Sequence, residues 1–219
     1  MGAAPLHRLP RLPDAALRGA LGGRAPPVVS PRRWALVASL FALGPLGAGC
    51  GGEEPPTLAE VPAFELVDQS GAPFRSEELA GKVWVANTIF TTCPTVCPML
   101  TTQMGNLQRR LAEHGEAVQL VSFSVDPEND TPERLTAYAA QHGADTSNWH
   151  FLTGEREAMR RAIEEGLHVR MGERQADTGD IPHGTHFVLV GPNGHVRGYY
   201  RNDQAGLDQL VEHVGTLVD

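Results

Sequence analysis

Cysteine is scarce in this 219-residue chain, with three in total, which excludes a fold stapled by several disulfides and makes each thiol a question of chemistry. Lysine is scarcer, with Lys82 alone beside 17 arginines. Long apolar runs are also missing. The uncharged stretch 34–48 has 15 residues with Pro45 inside it, short of the roughly 20 that span a bilayer as a helix. Positive charge is in deficit, at a net −8, which argues against a nucleic-acid partner. What remains is 41% hydrophobic and 20% charged, with 24 Gly and 17 Pro. That composition is globular with some loop or linker sequence, and the length allows one core rather than two.

The charge is unevenly placed. Residues 1–49 hold six basic and one acidic residue, a net +5, whereas residues 50–219 hold twelve basic and 25 acidic, a net −13. Arg32 and Arg33 precede the apolar run 34–48, which leads to Gly49-Cys50 and then GGEEPP. This is the layout of an export signal. LGAGC resembles a bacterial lipobox, so Cys50 is expected to be the lipidated first residue of the processed chain. The alternative is ordinary signal cleavage or an uncleaved anchor. The expected organisation is a targeting segment 1–49, a tether 50–57 and one domain 58–219, monomeric and on the periplasmic side of a bacterial envelope. There, a pair of nearby cysteines is a disulfide, a redox pair or a metal site.

Strand-like and helix-like blocks alternate through the domain. Residues 64–74 read as a hairpin around Gly71. The runs 83–89 and 118–125 are continuous and β-prone, as in strands covered on both faces. A helix is predicted from Pro98, with Cys97 as N-cap, to His114, stopped by Gly115. Thr131 caps a second helix that runs to about His142. Phe151 and Leu152 close a short strand, and 155–165 is a third helix. Residues 187–190 and 196–200 pair across Gly191-Pro192-Asn193-Gly194, and a final helix carries Leu207, Leu210, Val211, Val214 and Leu217 on one face. The class is α/β, with a mixed sheet flanked by helices and an added N-terminal hairpin.

Chemistry concentrates at Cys93 and Cys97, in FTTCPTVCPML between a buried strand and a helix. A cysteine at a helix N-terminus is expected to have its thiolate stabilised. Three intervening residues place both sulfurs on one side of a single turn, with room for an ion between them. Two thiolates hold a metal weakly, so a third ligand is needed. His183 and His186, just before the strand 187–190, are equal candidates on position. His114, His142 and His213 belong to amphipathic helices, and His168 and His195 have weaker claims. Two thiolates, an imidazole and an open position suit copper, above all Cu(I). A plain Cys93–Cys97 disulfide and a metal-free redox dithiol are the competing readings.

Four motifs together resemble the Sco/SenC family of copper chaperones: FTTCPTVCP at 90–98, SVDPENDTPERLTAY at 124–138, FLTGEREAMRRAIEEGLHV at 151–169, and a His eight residues before the Gly of GPNG. The likeness covers about residues 58–215 and implies a thioredoxin-like fold. It selects His183 over His186 and implies copper, Cu(I) or Cu(II), bound by Cys93, Cys97 and His183. It also implies delivery to the binuclear copper centre of cytochrome c oxidase subunit II or another acceptor. A Cys93–Cys97 disulfide would be the oxidised form. A thiol-disulfide oxidoreductase with Cys93 and Cys97 as its catalytic residues, or a copper or redox sensor, are the alternatives. Pro182 stands where the family usually has an acidic residue before its histidine, so the resemblance does not fix what orients the imidazole. Asp126 is read equally as a site-shaping or docking residue and as a turn residue.

Overall fold

A computed structural model describes residues 53–94 and 96–218. The targeting segment and Cys50 therefore lie outside the described residues. A small antiparallel hairpin pairs β1 (Glu65–Val67) with β2 (Pro73–Arg75), and Gly71 takes the left-handed φ of +83° that the turn requires. A five-stranded sheet follows in the spatial order β5-β4-β3-β6-β7, from β3 (Val83–Ile89), β4 (Val118–Ser124), β5 (Trp149–Leu152), β6 (Phe187–Val190) and β7 (Val196–Tyr200). The first three are parallel to one another, and β6 and β7 add on antiparallel to β3.

Every residue of β3 and β4 is buried, as the β-prone runs predict for strands covered on both faces. The cover comes from α1 (Val96–Arg110), α2 (Pro132–Gln141), α3 (Arg156–Arg160) and α4 (Gln204–Val218). On α1, Leu100, Met104 and Leu107 are almost fully buried at the spacing of one helical face. Thr131 caps α2 by accepting the Arg134 N–H, with Pro132 in the first turn, as expected. After α3 the chain widens into a π-type turn over Arg161–Gly166.

One boundary differs from expectation. α1 begins at Val96 rather than Pro98, so Cys97 lies inside the first turn instead of capping it. The physical reason is that first-turn N–H groups have no intrahelical acceptor, so a proline fits any of those positions. The helix also ends earlier, at Arg110. A tight segment, Ala112–Ala117, completes the turn, with Gly115 at a φ of +54°.

The stretch expected as a tether is held against the domain from Glu54 onward. Leu58 N–H donates to the Val196 carbonyl at 2.8 Å, Val196 N–H to Ala59 at 2.8 Å, and Val61 N–H to Gly194 at 2.9 Å. Buried Arg197 donates to the Pro55 and Pro56 carbonyls and pairs with Glu54 at 2.6 Å. Among the described residues, no helix is long and apolar enough to cross a membrane.

The packing of α1 on the sheet sets a stability expectation. Leu107 is fully buried, so Leu107→Ala should cost about 2–5 kcal/mol in denaturant unfolding. A loss below about 1 kcal/mol would contradict that packing.

Candidate metal centre

β3 carries two buried polar residues, Asn87 and Thr88, just before its last residue, Ile89. Thr88 is 2% exposed and must find partners there. Its hydroxyl donates to the Gly184 carbonyl at 2.8 Å and lies 3.0 Å from His183 Nδ1. His183 Nδ1 is also 2.8 Å from the same carbonyl oxygen. A carbonyl cannot donate, so Nδ1 carries the proton and shares it between Gly184 and Thr88. The Nε2 lone pair is left to face Cys97, with Sγ 3.7 Å away. Burial holds the imidazole below its ordinary pKa, which favours the neutral form that a metal needs.

His183 reaches this position on the return arm of a loop that folds on itself. Met171 bridges to His183, and Gly172 N–H donates to the Pro182 carbonyl at 2.8 Å. A Cβ on Gly172 would stand 2.6 Å from that oxygen, so glycine permits the approach. His186 is exposed and is not the histidine brought against Cys97.

The cysteine loop is pinned by a buried carboxylate. Asp130 accepts from the Thr91 hydroxyl at 2.6 Å, the Thr91 N–H at 3.2 Å and the Ser124 hydroxyl at 2.6 Å. Burial raises its pKa while these bonds oppose the rise. Behind the loop, the Thr101 and Tyr138 hydroxyls meet at 2.7 Å and tie the start of α1 to α2. Asp126 is a turn residue, one of the two readings expected for it. It closes a backbone turn with Asn129 and Asp130, and its buried side chain pairs with Arg174. Arg174 thereby clamps the His183 loop to the end of β4, with its guanidinium 5.8 Å from the Phe90 ring.

Cys97 is fully buried and Cys93 is 8% exposed. The expected lowering of the Cys97 pKa is not found. Burial pushes the thiol up, because removal from water outweighs the backbone hydrogen bond at Phe90 that lowers it. The Cys97 N–H donates to Cys93 Sγ at 3.4 Å. Among the described residues, no three Cys, His, Asp or Glu side chains are already closed around one point. The donors are nevertheless adjacent. A gap of 3.7 Å between Cys97 Sγ and His183 Nε2 suits two ligands of one ion at roughly 2.0–2.3 Å each. Cys93 would complete such a set by turning its Sγ away from the Cys97 N–H. It opens on a cleft of about 500 Å³ lined also by Thr92, Pro94, Arg174, Ile181 and His183.

Thr88, Asp130 and Arg174 were not singled out in the sequence. The signal for Thr88 is a polar residue within a β-prone run, and Asp130 lies in the DPENDTP block. Arg174, a charged loop residue, carries no signal of its own.

Fold and site together define a class, a sheet flanked by helices with paired thiols and an imidazole at the carboxyl end of a central strand. The SCO1/SenC family profile matches residues 52–219, and the chain belongs to that family, with its thioredoxin-like fold. A SCO1/SenC family lipoprotein from Bacillus anthracis is 36% identical, covering 73% of this chain and 95% of that one, at a TM-score of 0.68. BsSco, a member of the Sco family of cytochrome c oxidase assembly proteins in which a disulfide switch is identified, is 32% identical over 76% of this chain and 97% of its own, at 0.66. Yeast Sco1 with copper bound is 25% identical, covering 74% and 90%, at 0.60.

The unequal burial of the thiols predicts unequal reactivity. A small alkylating agent should modify Cys93 about tenfold faster than Cys97 near pH 8, read by peptide mass mapping. Equal rates would contradict the arrangement.

Proposed function

We propose that this protein is an extracytoplasmic metallochaperone that binds one copper ion through Cys93, Cys97 and His183. It passes the ion to the binuclear copper centre of cytochrome c oxidase subunit II. The observation that carries this reading is the placement of the His183 ring, with Nδ1 2.8 Å from the Gly184 carbonyl and 3.0 Å from the Thr88 hydroxyl, and Nε2 3.7 Å from Cys97 Sγ. A residue that served only a dithiol redox cycle would not need that placement. Two soft thiolates and a neutral imidazole match copper chemistry, and a relative in the same family is known with copper bound.

Transfer is ligand exchange. Cys93 and His183 both line the open cleft, whereas Cys97 is fully buried. An incoming acceptor thiolate therefore displaces one of the two cleft-lining donors first, and Cys97, the most deeply held, releases the ion last. Arg174 and Asp126 keep the histidine loop in place during the exchange. In the oxidised form Cys93 and Cys97 join as a disulfide. Lipidation of Cys50 keeps the domain at the outer face of the bacterial inner membrane, in line with the lipoprotein nature of the Bacillus anthracis relative.

A second reading has its own support. The Cys97 N–H bonded to Cys93 Sγ also stabilises a nucleophilic thiolate at Cys93, so reduction of acceptor cysteines is compatible with the same pair. His183→Ala separates the two. It should lower Cu(I) affinity in a competitive chelator titration at least about tenfold, while Cys93 and Cys97 still exchange with a small disulfide. Unchanged copper affinity would sink the ligand assignment. Lost affinity with intact oxidase assembly would favour the reductase. Thr88→Val tests the orientation of the ring. It keeps all three donors but should still weaken copper about tenfold, and a wild-type affinity would contradict the role given to that hydroxyl.

A further inference from the structure

We infer that residues 54–61 are a strap that ties the lipid-bearing Cys50 to the pole of the domain opposite the copper site. The site is thereby turned away from the membrane, toward an acceptor that presents its metal-binding thiolates well above the lipid surface. This inference rests on the proposed lipidation of Cys50.

The sheet register establishes the two poles. β3 runs from Val83 to Ile89, and the cysteine loop follows its carboxyl end. At the other end, Trp84 pairs with Val190 and Val190 with Val196, so Val196 stands level with the amino end of β3. The strap is fixed at that level. Leu58 and Ala59 exchange backbone bonds with Val196, Val61 bonds to Gly194, and Glu60 bridges to His195. Arg197, 6% exposed, closes over the Pro55 and Pro56 carbonyls and the Glu54 carboxylate. A buried guanidinium so placed costs free energy unless it is fully bonded, so the strap and Arg197 hold each other.

Reach then decides orientation. From Cys50 to Pro55 is five residues, at most about 18 Å fully extended. The six residue steps of β3 from Val83 to Ile89 already span about 20 Å, and Cys93 lies beyond them. An anchored domain therefore cannot turn over and bring the copper site against the lipid while the strap is closed. Charge acts in the same sense, because the net −13 of residues 50–219 keeps the domain off an anionic leaflet rather than lying on it.

The test uses the full-length, processed protein in vesicles of phosphatidylethanolamine and phosphatidylglycerol, with a photo-crosslinking benzoylphenylalanine at one of two exposed positions. Asn193 lies at the strap pole and Thr178 on the rim of the site cleft. Lipid adducts from Asn193, with none above background from Thr178, support the inference. Equal or reversed adducts overturn it. The mass of the N-terminal peptide from the same sample reads Cys50 directly, and an unmodified Cys50 overturns the anchor itself. Hydrogen exchange on the soluble domain isolates the strap. Slow exchange at Leu58 and Val61 supports it, and fast exchange there overturns it even with Cys50 lipidated.

Discussion

A strand buried along its whole length has no water to offer a polar side chain, and β3 ends under that constraint. Thr88 is enclosed there and can satisfy its hydroxyl only by reaching the loop that carries His183 and Gly184. The same contact commits the His183 Nδ1 proton, and Nε2 is thereby the nitrogen that meets Cys97. One hydrogen-bonding obligation in the core thus selects the tautomer, the ring orientation and the nitrogen available to a metal. Asp130 does the equivalent for the cysteine loop, using its carboxylate to fasten Thr91 to the end of β4. The two halves of the site are held by different strands, and the sheet brings them together.

Much of this was readable in the sequence, and the reasons differ by residue. The buried strands show in the sequence as β-prone runs with few polar residues, and Thr131-Pro132 marks the start of α2. Cys93 and Cys97 stand out because three cysteines in a chain expected to be exported leave little else for a pair to do. Position alone could not separate His183 from His186, because both lie in a loop whose path is set by contacts far away in sequence. The family likeness selected His183, and it is His183 that meets Cys97 in the fold. The start of α1 was misjudged by two residues because proline is tolerated throughout the first turn. The Cys97 pKa was misjudged in direction. The sequence displays the helix terminus but not the depth of burial, and burial dominates.

Arg174 illustrates what no local pattern conveys. An arginine in a polar loop is ordinarily solvated, yet here it spans to the buried Asp126 and lies beside Phe90. Its role arises from the folding back of 170–184 over the carboxyl ends of the strands. Arg197 is a similar case at the opposite pole, where a charged strand residue turns inward because the chain of Glu54–Pro56 supplies its acceptors. Two arginines, one at each end of the sheet, convert loop and linker sequence into fixed structure.

The central claim is that copper is held by two sulfurs and one imidazole from Cys93, Cys97 and His183. X-ray absorption on the Cu(I)-loaded soluble domain tests it most directly. The account predicts one copper per chain, with two sulfur scatterers and the multiple-scattering signature of a single histidine. A spectrum with sulfur ligands alone, or copper bound at one ion per two chains, would contradict it.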